Sequence, residues 1–442
     1  MVRNSVMSLK TLNNNPDAYL TLLKEVNVML VYVLSKNGKP LMPTNSANAR
    51  ILLKSGKAKV VKKTPFTIQL CYSSNNYKQP ITLGVDTGYK HVGLSVVSDT
   101  KELFNSEVEL RTDIVKLLSE RKMYRRNRRN RLWYRESRFL NRIKSKKAGW
   151  LAPSLEHKLN EHIKAINFVK SILPVTDITV EAAAFDIQKI KDPNIQGTGY
   201  QNGVQKDFWN VREYVLYRDG HICQHCGKSN TILNVHHIES RQTGGNSPDN
   251  LITLCEKCHK AYHNGKIQLS VKKYKTFKAE TAMSILRWKI VDKLKELGNT
   301  VNVTYGYITK SIRIALKLDK NHNNDAFCIA GGNWQERTDT YFIKFIRECN
   351  RSLFKANLLK GGKRKVNTIR QAFGFHRFDK VLYGKIECFI HGLRSSGYFD
   401  LRLLTGEKIN ASVKYTKLRL IENFNTMGIA LLSRINTRVS EL

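Results

Sequence analysis

The chain of 442 residues carries 75 lysines and arginines against 36 aspartates and glutamates, a formal net charge of +39. At roughly 150 residues per domain this length predicts a multidomain protein, and the 41% hydrophobic content excludes a disordered chain. A charge of this size favours a polyanionic partner, nucleic acid by default, over a small-metabolite substrate. No apolar run approaches the roughly 18 residues of a membrane span, and the N-terminal segment lacks a secretory pattern. We therefore expect no membrane partner and a cytoplasmic location.

The first elements along the chain predict a small α+β module. Residues 1–28 are polar and precede it as an extension. Strand-like alternation begins at Val31, and the segment 39–43 reads KPLMP. A helical stretch over 47–55 and a further strand over 67–72 complete the module.

Three acidic residues, far apart in the sequence, lie where predicted elements end or begin. Asp86 follows an apolar strand, Glu181 ends a second strand, and Asp325 opens a predicted helix, three residues after His322. Carboxylates placed in this way suit two divalent cations, Mg²⁺ or Mn²⁺, which can activate a water and stabilise the leaving oxygen of a phosphodiester. An aspartate after an apolar strand is also a common turn former or helix cap, so spacing alone does not group the three residues.

A dense basic run covers residues 121–147, with 13 lysines and arginines and one glutamate. A helix that is basic all round repels itself in water unless phosphate surrounds it. Tyr124 and Trp133 are interleaved and offer stacking surfaces. Short runs of this kind are usually solvated faces or localisation tracts, but the density here favours nucleic-acid binding. The arginines that we expect to contact nucleic acid are Arg121, Arg125, Arg126, Arg128, Arg129, Arg131, Arg135 and Arg138.

Two CxxC pairs predict a structural zinc site, because four thiolates satisfy a tetrahedral Zn²⁺ and each pair can chelate from one tight turn. Histidines at 236, 237, 259 and 263 lie between and after these pairs. His236 and His237 are adjacent in a predicted strand and point opposite ways, so they should take different roles. The alternative is a plain zinc finger, in which the histidines are incidental or bind the structural zinc. Four cysteines already saturate that zinc, so the further histidines need another explanation. The four cysteines are Cys223, Cys226, Cys255 and Cys258.

The rest of the chain alternates helix and strand patterns. A helix is predicted over 279–297 and a strand over 301–307. The tail from Arg351 holds 18 basic and 6 acidic residues, with strand-like alternation over 382–390. This balance again favours an anionic partner.

Two sets of motifs resemble known nucleases. GVDTGYKHVG, VEAAAFD and HNNDAFCIAG look like the three separated pieces of a RuvC-type nuclease, an RNase H-like fold. The segment from CQHC to CHKAYH resembles the HNH motif of the ββα-metal type. The first likeness implies Mg²⁺ or Mn²⁺ on Asp86, Glu181 and Asp325, with His322 as a base or water-orienting group. The second implies a general base at His237, a bracing role for Asn250, and one ion held by His236, His259 and His263.

The order of these pieces resembles the IscB family, compact transposon-associated relatives of the CRISPR type II effector nucleases. The resemblance implies an RNA-guided DNA endonuclease whose guide lies in a noncoding RNA, the ωRNA. It further implies that HNH cuts the guide-paired strand of double-stranded DNA and RuvC cuts the displaced strand. We expect one protein chain in a ribonucleoprotein, acting at a prokaryotic nucleoid. Two alternatives stay open: a guide-independent homing or structure-specific nuclease, and an RNA-binding regulator without activity.

The expected fold class is α/β multidomain, with an RNase H-like RuvC core split in three and an inserted zinc-stapled ββα-metal HNH domain. An arginine-rich bridge helix and small N- and C-terminal α+β modules complete it. The predicted boundaries are an N-terminal extension (1–28), a PLMP-type module (29–75), RuvC part I (76–115), the bridge helix (116–148), RuvC part II (149–195), the HNH domain (196–270), RuvC part III (271–350) and a C-terminal region contacting RNA and the target-adjacent motif (351–442).

Overall fold

A computed structural model of the chain describes residues 30–75, 77–130, 150–182, 208, 210–239, 248–269, 278–347 and 369–432. The chain divides into two compact units. The first combines Met1–Ala183 with Ile285–Leu442, and the second is Ala184–Ser284. Among the described residues, no helix is both long enough and apolar enough to cross a membrane.

The described part of the chain mixes short strands and helices. The strands, in chain order, are β1 (Leu30–Leu34), β2 (Pro40–Asn45), β3 (Ala58–Lys62), β4 (Thr67–Leu70), β5 (Thr82–Asp86), β6 (His91–Val97), β7 (Glu102–Glu109), β8 (Asp177–Glu181), β9 (Leu233–His237), β10 (Leu251–Cys255), β11 (Thr300–Thr304), β12 (Thr340–Phe345), β13 (Gln371–Ala372), β14 (Phe375–His376), β15 (Lys380–Tyr383), β16 (Ile386–Gly392), β17 (Tyr398–Arg402), β18 (Lys408–Lys414), β19 (Leu418–Glu422) and β20 (Met427–Leu431). The helices are α1 (Ser46–Lys54), α2 (Ile114–Asn130), α3 (Pro153–Lys170), α4 (Val211–Arg218), α5 (Glu256–His263), α6 (Lys278–Glu296), α7 (Gly306–Ala315) and α8 (His322–Ile329).

The N-terminal module is a four-stranded sheet in the order β2-β1-β4-β3, with α1 packed on it. The segment KPLMP enters strand β2, and Asn45 then caps α1 by accepting a hydrogen bond from the backbone N–H of Asn48. Val31 and Ile68 are fully buried at the centre of its core. The helix predicted over 47–55 is α1 and begins one residue earlier, because Asn45 is a strong N-cap.

A seven-stranded mixed sheet in the order β11-β8-β5-β6-β7-β12-β20 forms the centre of the first unit. Its strands come from separated stretches of the chain. β5, β6 and β7 are antiparallel neighbours, whereas β8 runs parallel to β5 and β11 parallel to β8. Alternate residues of β5 point to opposite faces, so Leu83 and Val85 pack in the core with α3 while Gly84 faces α8.

The C-terminal part of the first unit is a five-stranded antiparallel sheet in the order β18-β17-β16-β15-β19. Phe399 and Leu401 are fully buried in its core. The alternation predicted over 382–390 belongs to two strands, β15 and β16, because Gly384 adopts a φ of 59° and turns the chain between them.

The second unit places β9 antiparallel to β10, and α5 begins directly after β10. Ile252 and Leu254 are buried under this ββα arrangement.

The predicted strand over 301–307, in the first unit, is shorter than expected. β11 ends at Thr304, because Gly306 starts α7.

Candidate metal centres

Asp86 and Glu181 lie side by side at the edge of the central sheet. They end the parallel neighbours β5 and β8, in which Val85 pairs with Val180, the residue before each carboxylate. Asp86 is 7% exposed. The carboxyl ends of adjacent parallel strands are where ligands bind in open α/β sheets, so this position favours a functional role over a turn.

Helix α8 carries the other two predicted residues of this centre. It approaches the sheet closely because two facing positions are glycine: a Cβ on Gly84 would lie 2.1 Å from the carbonyl oxygen of Ala326, and one on Gly93 would lie 1.8 Å from that of His322. His322 Nδ1 is 2.6 Å from Asp86 Oδ2. Asp325 lies one turn further along α8. The structure therefore brings all four predicted residues to one end of the sheet. We refer to them as the carboxylate centre.

The electrostatics of the carboxylate centre suit a cation. Burial raises the pKa of Glu181 and of Asp325, and the charge of Asp86 raises both further. The hydrogen bond to Asp86 raises the pKa of His322. Divalent cations relieve the repulsion of three carboxylates, and oxygen ligands are those that Mg²⁺ and Mn²⁺ prefer. The residues present therefore fit such ions.

Two arginines join this centre without having been predicted. Arg287 of α6 is 8% exposed and donates from Nε to Thr87 Oγ1 at 3.1 Å and from Nη2 to the Thr87 carbonyl at 3.3 Å. Burial lowers its pKa, and the charges of Glu181 and Asp86 counteract that effect. Arg313 Nε lies 2.8 Å from Asp325 Oδ1. No local pattern could find either, because their role depends on how α6 and α7 pack.

A buried polar cluster on α3 supports the turn after Asp86. Lys158 Nζ donates to the carbonyls of Tyr89 and Arg111 at 2.5 and 3.4 Å. His162 is fully buried, and its Nδ1 lies 2.8 Å from the Lys158 carbonyl. Burial raises the pKa of Glu161 to about 7 and lowers that of His162 to about 4. Through the Tyr89 carbonyl, Lys158 ties the β5–β6 turn to α3.

Three histidines form a second cluster, in the ββα unit. His236 of β9 meets His259 and His263, one turn apart on α5, with ring centroids 4.6–5.1 Å from one another. Their ligand nitrogens all lie within 4.8 Å of one another. We refer to these three residues as the histidine centre, and all three are among the predicted metal ligands.

The histidine centre fits a metal ion by its protonation as well as its geometry. His236 is 7% exposed, and its Nε2 has no hydrogen-bond partner among the described residues. Burial and the neighbouring histidines lower the pKa of His236 to about 4 and also lower that of His259. Neutral imidazoles with free nitrogens are metal ligands, and an orphaned buried nitrogen is costly without one.

The other two predicted residues of this unit lie beside the cluster. His237 follows His236 in β9 and pairs with Leu251, so its side chain lies on the opposite face of the strand. Asn250 is 7% exposed, and its amide accepts from the Glu239 N–H at 2.8 Å and donates to the Glu239 carbonyl at 3.0 Å. It thereby ties the start of β10 to the chain that leaves β9.

The two CxxC pairs form a four-cysteine cluster. The Sγ atoms of Cys223, Cys226, Cys255 and Cys258 all lie within 4.8 Å of one another. Cys226 and Cys255 are 3.7 Å apart, and Cys255 caps α5. Burial and the other thiols raise the pKa of Cys258, because a thiolate is unfavourable beside the neighbouring sulfur atoms. A bound metal ion would offset this penalty by stabilising the thiolates. The cluster fits Zn²⁺ in number and ligand type.

The predicted arginine helix is described in part. α2 runs over Ile114–Asn130, and Arg121 and Arg125 are exposed on it. Arg126, Arg128 and Arg129 lie in its last turns. Arg131, Arg135 and Arg138 lie outside the described residues, as does the extension 1–28.

Two family matches agree with these sites. Residues 31–203, which include RRNRR at 125–129, match the RRXRR protein family, and residues 223–265 match the HNH endonuclease family. Residues 223–265 therefore form an HNH-type domain. Together the RRXRR and HNH regions fit a RuvC/HNH nuclease of the IscB and Cas9-like kind, which confirms the family resemblance drawn from the sequence.

Several known proteins are similar over part of the chain. The type IV methyl-directed restriction enzyme EcoKMcrA of Escherichia coli (strain K12) is 34% identical over 65 residues, 13% of this chain and 24% of that protein. Anaredoxin of Nostoc sp. is 30% identical over 71 residues, 16% of this chain and 84% of that protein. The crystal structure of Streptococcus thermophilus Cas9 in complex with AGGA PAM aligns at 15% identity with a TM-score of 0.27, over 41% of this chain and 26% of that chain. The chain thus spans about a quarter of the restriction enzyme and of Cas9.

Proposed function

We propose that this protein is an RNA-guided endonuclease that cuts both strands of DNA with two metal-dependent sites. The HNH region cuts the strand paired to the guide, and the carboxylate centre cuts the displaced strand. The observation that carries the proposal is the presence of two sites of different chemistry in a chain of net charge +39: a cluster of three histidines and a group of carboxylates whose charges act on one another. Each constellation suits phosphodiester hydrolysis by a different ligand chemistry.

The central sheet supports a RuvC-type, RNase H-like core assembled from three pieces. The predicted pieces 76–115, 149–195 and 271–350 contribute β5–β7, β8 and β11–β12 to one sheet. The four residues singled out in these pieces meet at one end of it. Mg²⁺ or Mn²⁺ would supply Lewis acidity at the scissile phosphate. Asp86 orients the ring of His322, which can then hold a proton or position a water.

The histidine centre supports a ββα-metal nuclease. His236, His259 and His263 would hold an ion there, which would supply Lewis acidity at the scissile phosphate. His237, on the other face of β9, is the general base that takes a proton from water. Asn250 keeps the loop after β9 in place through its two hydrogen bonds to Glu239. The four cysteines, of which Cys255 caps α5, would hold Zn²⁺ at the start of that helix.

The basic segments indicate the partners. The predicted arginine-rich segment 116–148, of which α2 is the described part, is in this proposal the bridge helix that contacts the guide-bearing ωRNA, because arginine matches phosphate geometry. The C-terminal region 351–442 contacts RNA and the motif beside the target, and the PLMP-type module spans 29–75. One protein chain with its RNA then acts on double-stranded DNA at a prokaryotic nucleoid.

Strand-resolved cleavage tests the division of labour. With RNA, target DNA and Mg²⁺, Asp86→Asn is expected to leave a nick in the guide-paired strand, and His237→Asn a nick in the displaced strand. Asp99→Asn and His221→Asn are matched controls at exposed positions; His221 has a φ of 54°, which asparagine tolerates. If either test variant binds DNA normally but cuts neither strand, the assignment of the two centres is wrong.

A guide-independent DNA nuclease is the second candidate, favoured by the similarity of 65 residues to a restriction enzyme. Such a protein would cut DNA without RNA. The same assay with RNA omitted therefore separates the two candidates.

A further inference from the structure

Two tyrosines form an exposed, stacked pair at the start of α7. The rings of Tyr305 and Tyr307 are nearly parallel, with an interplanar angle of 10° and centroids 6.2 Å apart. Their exposed fractions are 47% and 71%. Rings held parallel in solvent expose apolar faces that burial would favour, so the pair indicates a contact surface. Neither residue belongs to the sites described above.

The tyrosine pair borders the carboxylate centre. β11 runs parallel to β8, and its last residue, Thr304, pairs with Glu181. The backbone N–H of Ala182 donates to the Thr304 carbonyl at 2.9 Å. Between the tyrosines, a Cβ on Gly306 would lie 3.2 Å from Glu181 Oε1. The glycine therefore lets the backbone that carries both rings run directly against a proposed metal ligand.

The surroundings of the pair favour an unpaired nucleic-acid strand as the occupant. Lys310 is exposed on α7, one turn after Tyr307, so a cation accompanies the rings on the same face. Aromatic faces with neighbouring basic groups bind single strands, because every nucleobase has a face to stack. A DNA duplex presents no open base face, which excludes it as the ligand of the rings.

We propose that Tyr305 and Tyr307 form a stacking subsite for an unpaired nucleobase of the DNA strand that is cut at the carboxylate centre. Stacking holds this strand in register, so that its scissile phosphate lies at Asp86 and Glu181. The choice of strand rests on the proposed function, whereas the binding of single-stranded DNA does not.

Strand-resolved single-turnover cleavage by the complete protein–RNA complex tests the subsite. Tyr307→Ala is expected to slow cutting of the displaced strand by roughly 5- to 160-fold, the range for loss of one stacked base. Cutting of the guide-paired strand by the same particles is expected to stay unchanged, and Tyr307→Phe to retain both rates. Trp334→Ala is the matched control: Trp334 is 70% exposed and lies beyond the far end of α8, near the pairing of Lys101 with Glu336. Equal cutting of the displaced strand by Tyr307→Ala and the wild type would overturn the proposal.

A direct binding measurement separates this inference from the proposed function. The protein without RNA is titrated into single-stranded DNA carrying one 2-aminopurine, whose fluorescence falls on stacking. Quenching by the wild type and Tyr307→Phe but not by Tyr307→Ala supports the subsite, even if guided cutting fails. Absence of quenching by the wild type overturns it. So does a Tyr307→Ala variant that loses affinity for the guide RNA instead, because the rings would then bind RNA.

Discussion

The close approach of α8 to the central sheet makes one substitution especially informative. Gly93 pairs with Asp86 across β5 and β6, and a Cβ at this position would lie 1.8 Å from the carbonyl oxygen of His322. Ordinary contact begins at 3.4 Å, so in Gly93→Ala the start of α8 must retreat by the difference, about 1.6 Å. That movement breaks the 2.6 Å contact between His322 and Asp86 and displaces Asp325 with it.

The expected consequences are a large loss at one active site and a moderate loss of stability. A misplacement of about 1 Å costs on the order of 100-fold in rate. Overpacking a core contact costs about 1–3 kcal/mol in the free energy of unfolding. We therefore expect Gly93→Ala to slow cutting of the displaced strand at least 100-fold, with cutting of the guide-paired strand unchanged.

Single-turnover cleavage with each strand separately labelled measures both rates, and urea unfolding measures the stability. Gly56→Ala is the matched control: its φ of +69° makes alanine strained by about 1–2 kcal/mol, but nothing lies within 4 Å of the added Cβ. The control should lose stability and keep both cuts. Cutting of the displaced strand by Gly93→Ala at the wild-type rate would refute the reasoning.

Three further predictions concern the HNH region and the buried cluster on α3. Cys226→Ser is expected to lose the structural zinc, as measured by metal analysis, and to abolish cutting of the guide-paired strand alone; retention of the metal would contradict the four-cysteine site. Asn250→Ala removes two hydrogen bonds to Glu239 and is expected to cost about 2 kcal/mol in urea unfolding and to slow the same cut, whereas an unchanged rate would remove the bracing role. Burial lowers the pKa of His162 from 6.5 to about 4. As the pH falls, the unfolded chain therefore takes up the proton before the folded protein does, and the stability that the neutral His162 contributes is lost between pH 6.5 and about 4. Relative to the wild type, His162→Gln should remove about 2 kcal/mol of this acid sensitivity between pH 7 and pH 5, judged from urea unfolding at the two values. The comparison with the wild type is needed because the raised pKa of Glu161 acts in the opposite sense. Equal pH dependence of the two proteins would argue against a buried neutral His162.

Local signals in the sequence singled out the candidate ligands, whereas the resemblance to known nucleases grouped the carboxylates. Asp86 and Glu181 were found because each follows a short apolar strand, and parallel pairing of those strands then places them together. The HNH resemblance implied one ion held by three histidines, and His259 and His263, one helical turn apart on α5, do meet His236. Such arrangements depend on one or two elements at a time.

Features set by tertiary packing were not predictable from local patterns. The role of Arg287 depends on α6 packing beside β5, some 200 residues away in the chain, so its basic side chain alone gave no signal. Gly84 and Gly93 read as ordinary strand glycines until α8 is placed against them. The strand predicted to reach 307 ended at Thr304, because the apolar residues after it belong to α7. In each case a distant element decides the outcome.

The central claim is that the guide RNA directs two chemically distinct sites to one DNA target. The most direct measurement is plasmid cleavage with Mg²⁺, with and without RNA transcribed from the DNA flanking this gene, using a library of sequences beside the target. Cutting of both strands that requires the RNA and falls at the site matching its guide is the expected result. Cutting without RNA, or tight RNA binding with no cutting across the whole library, would contradict it.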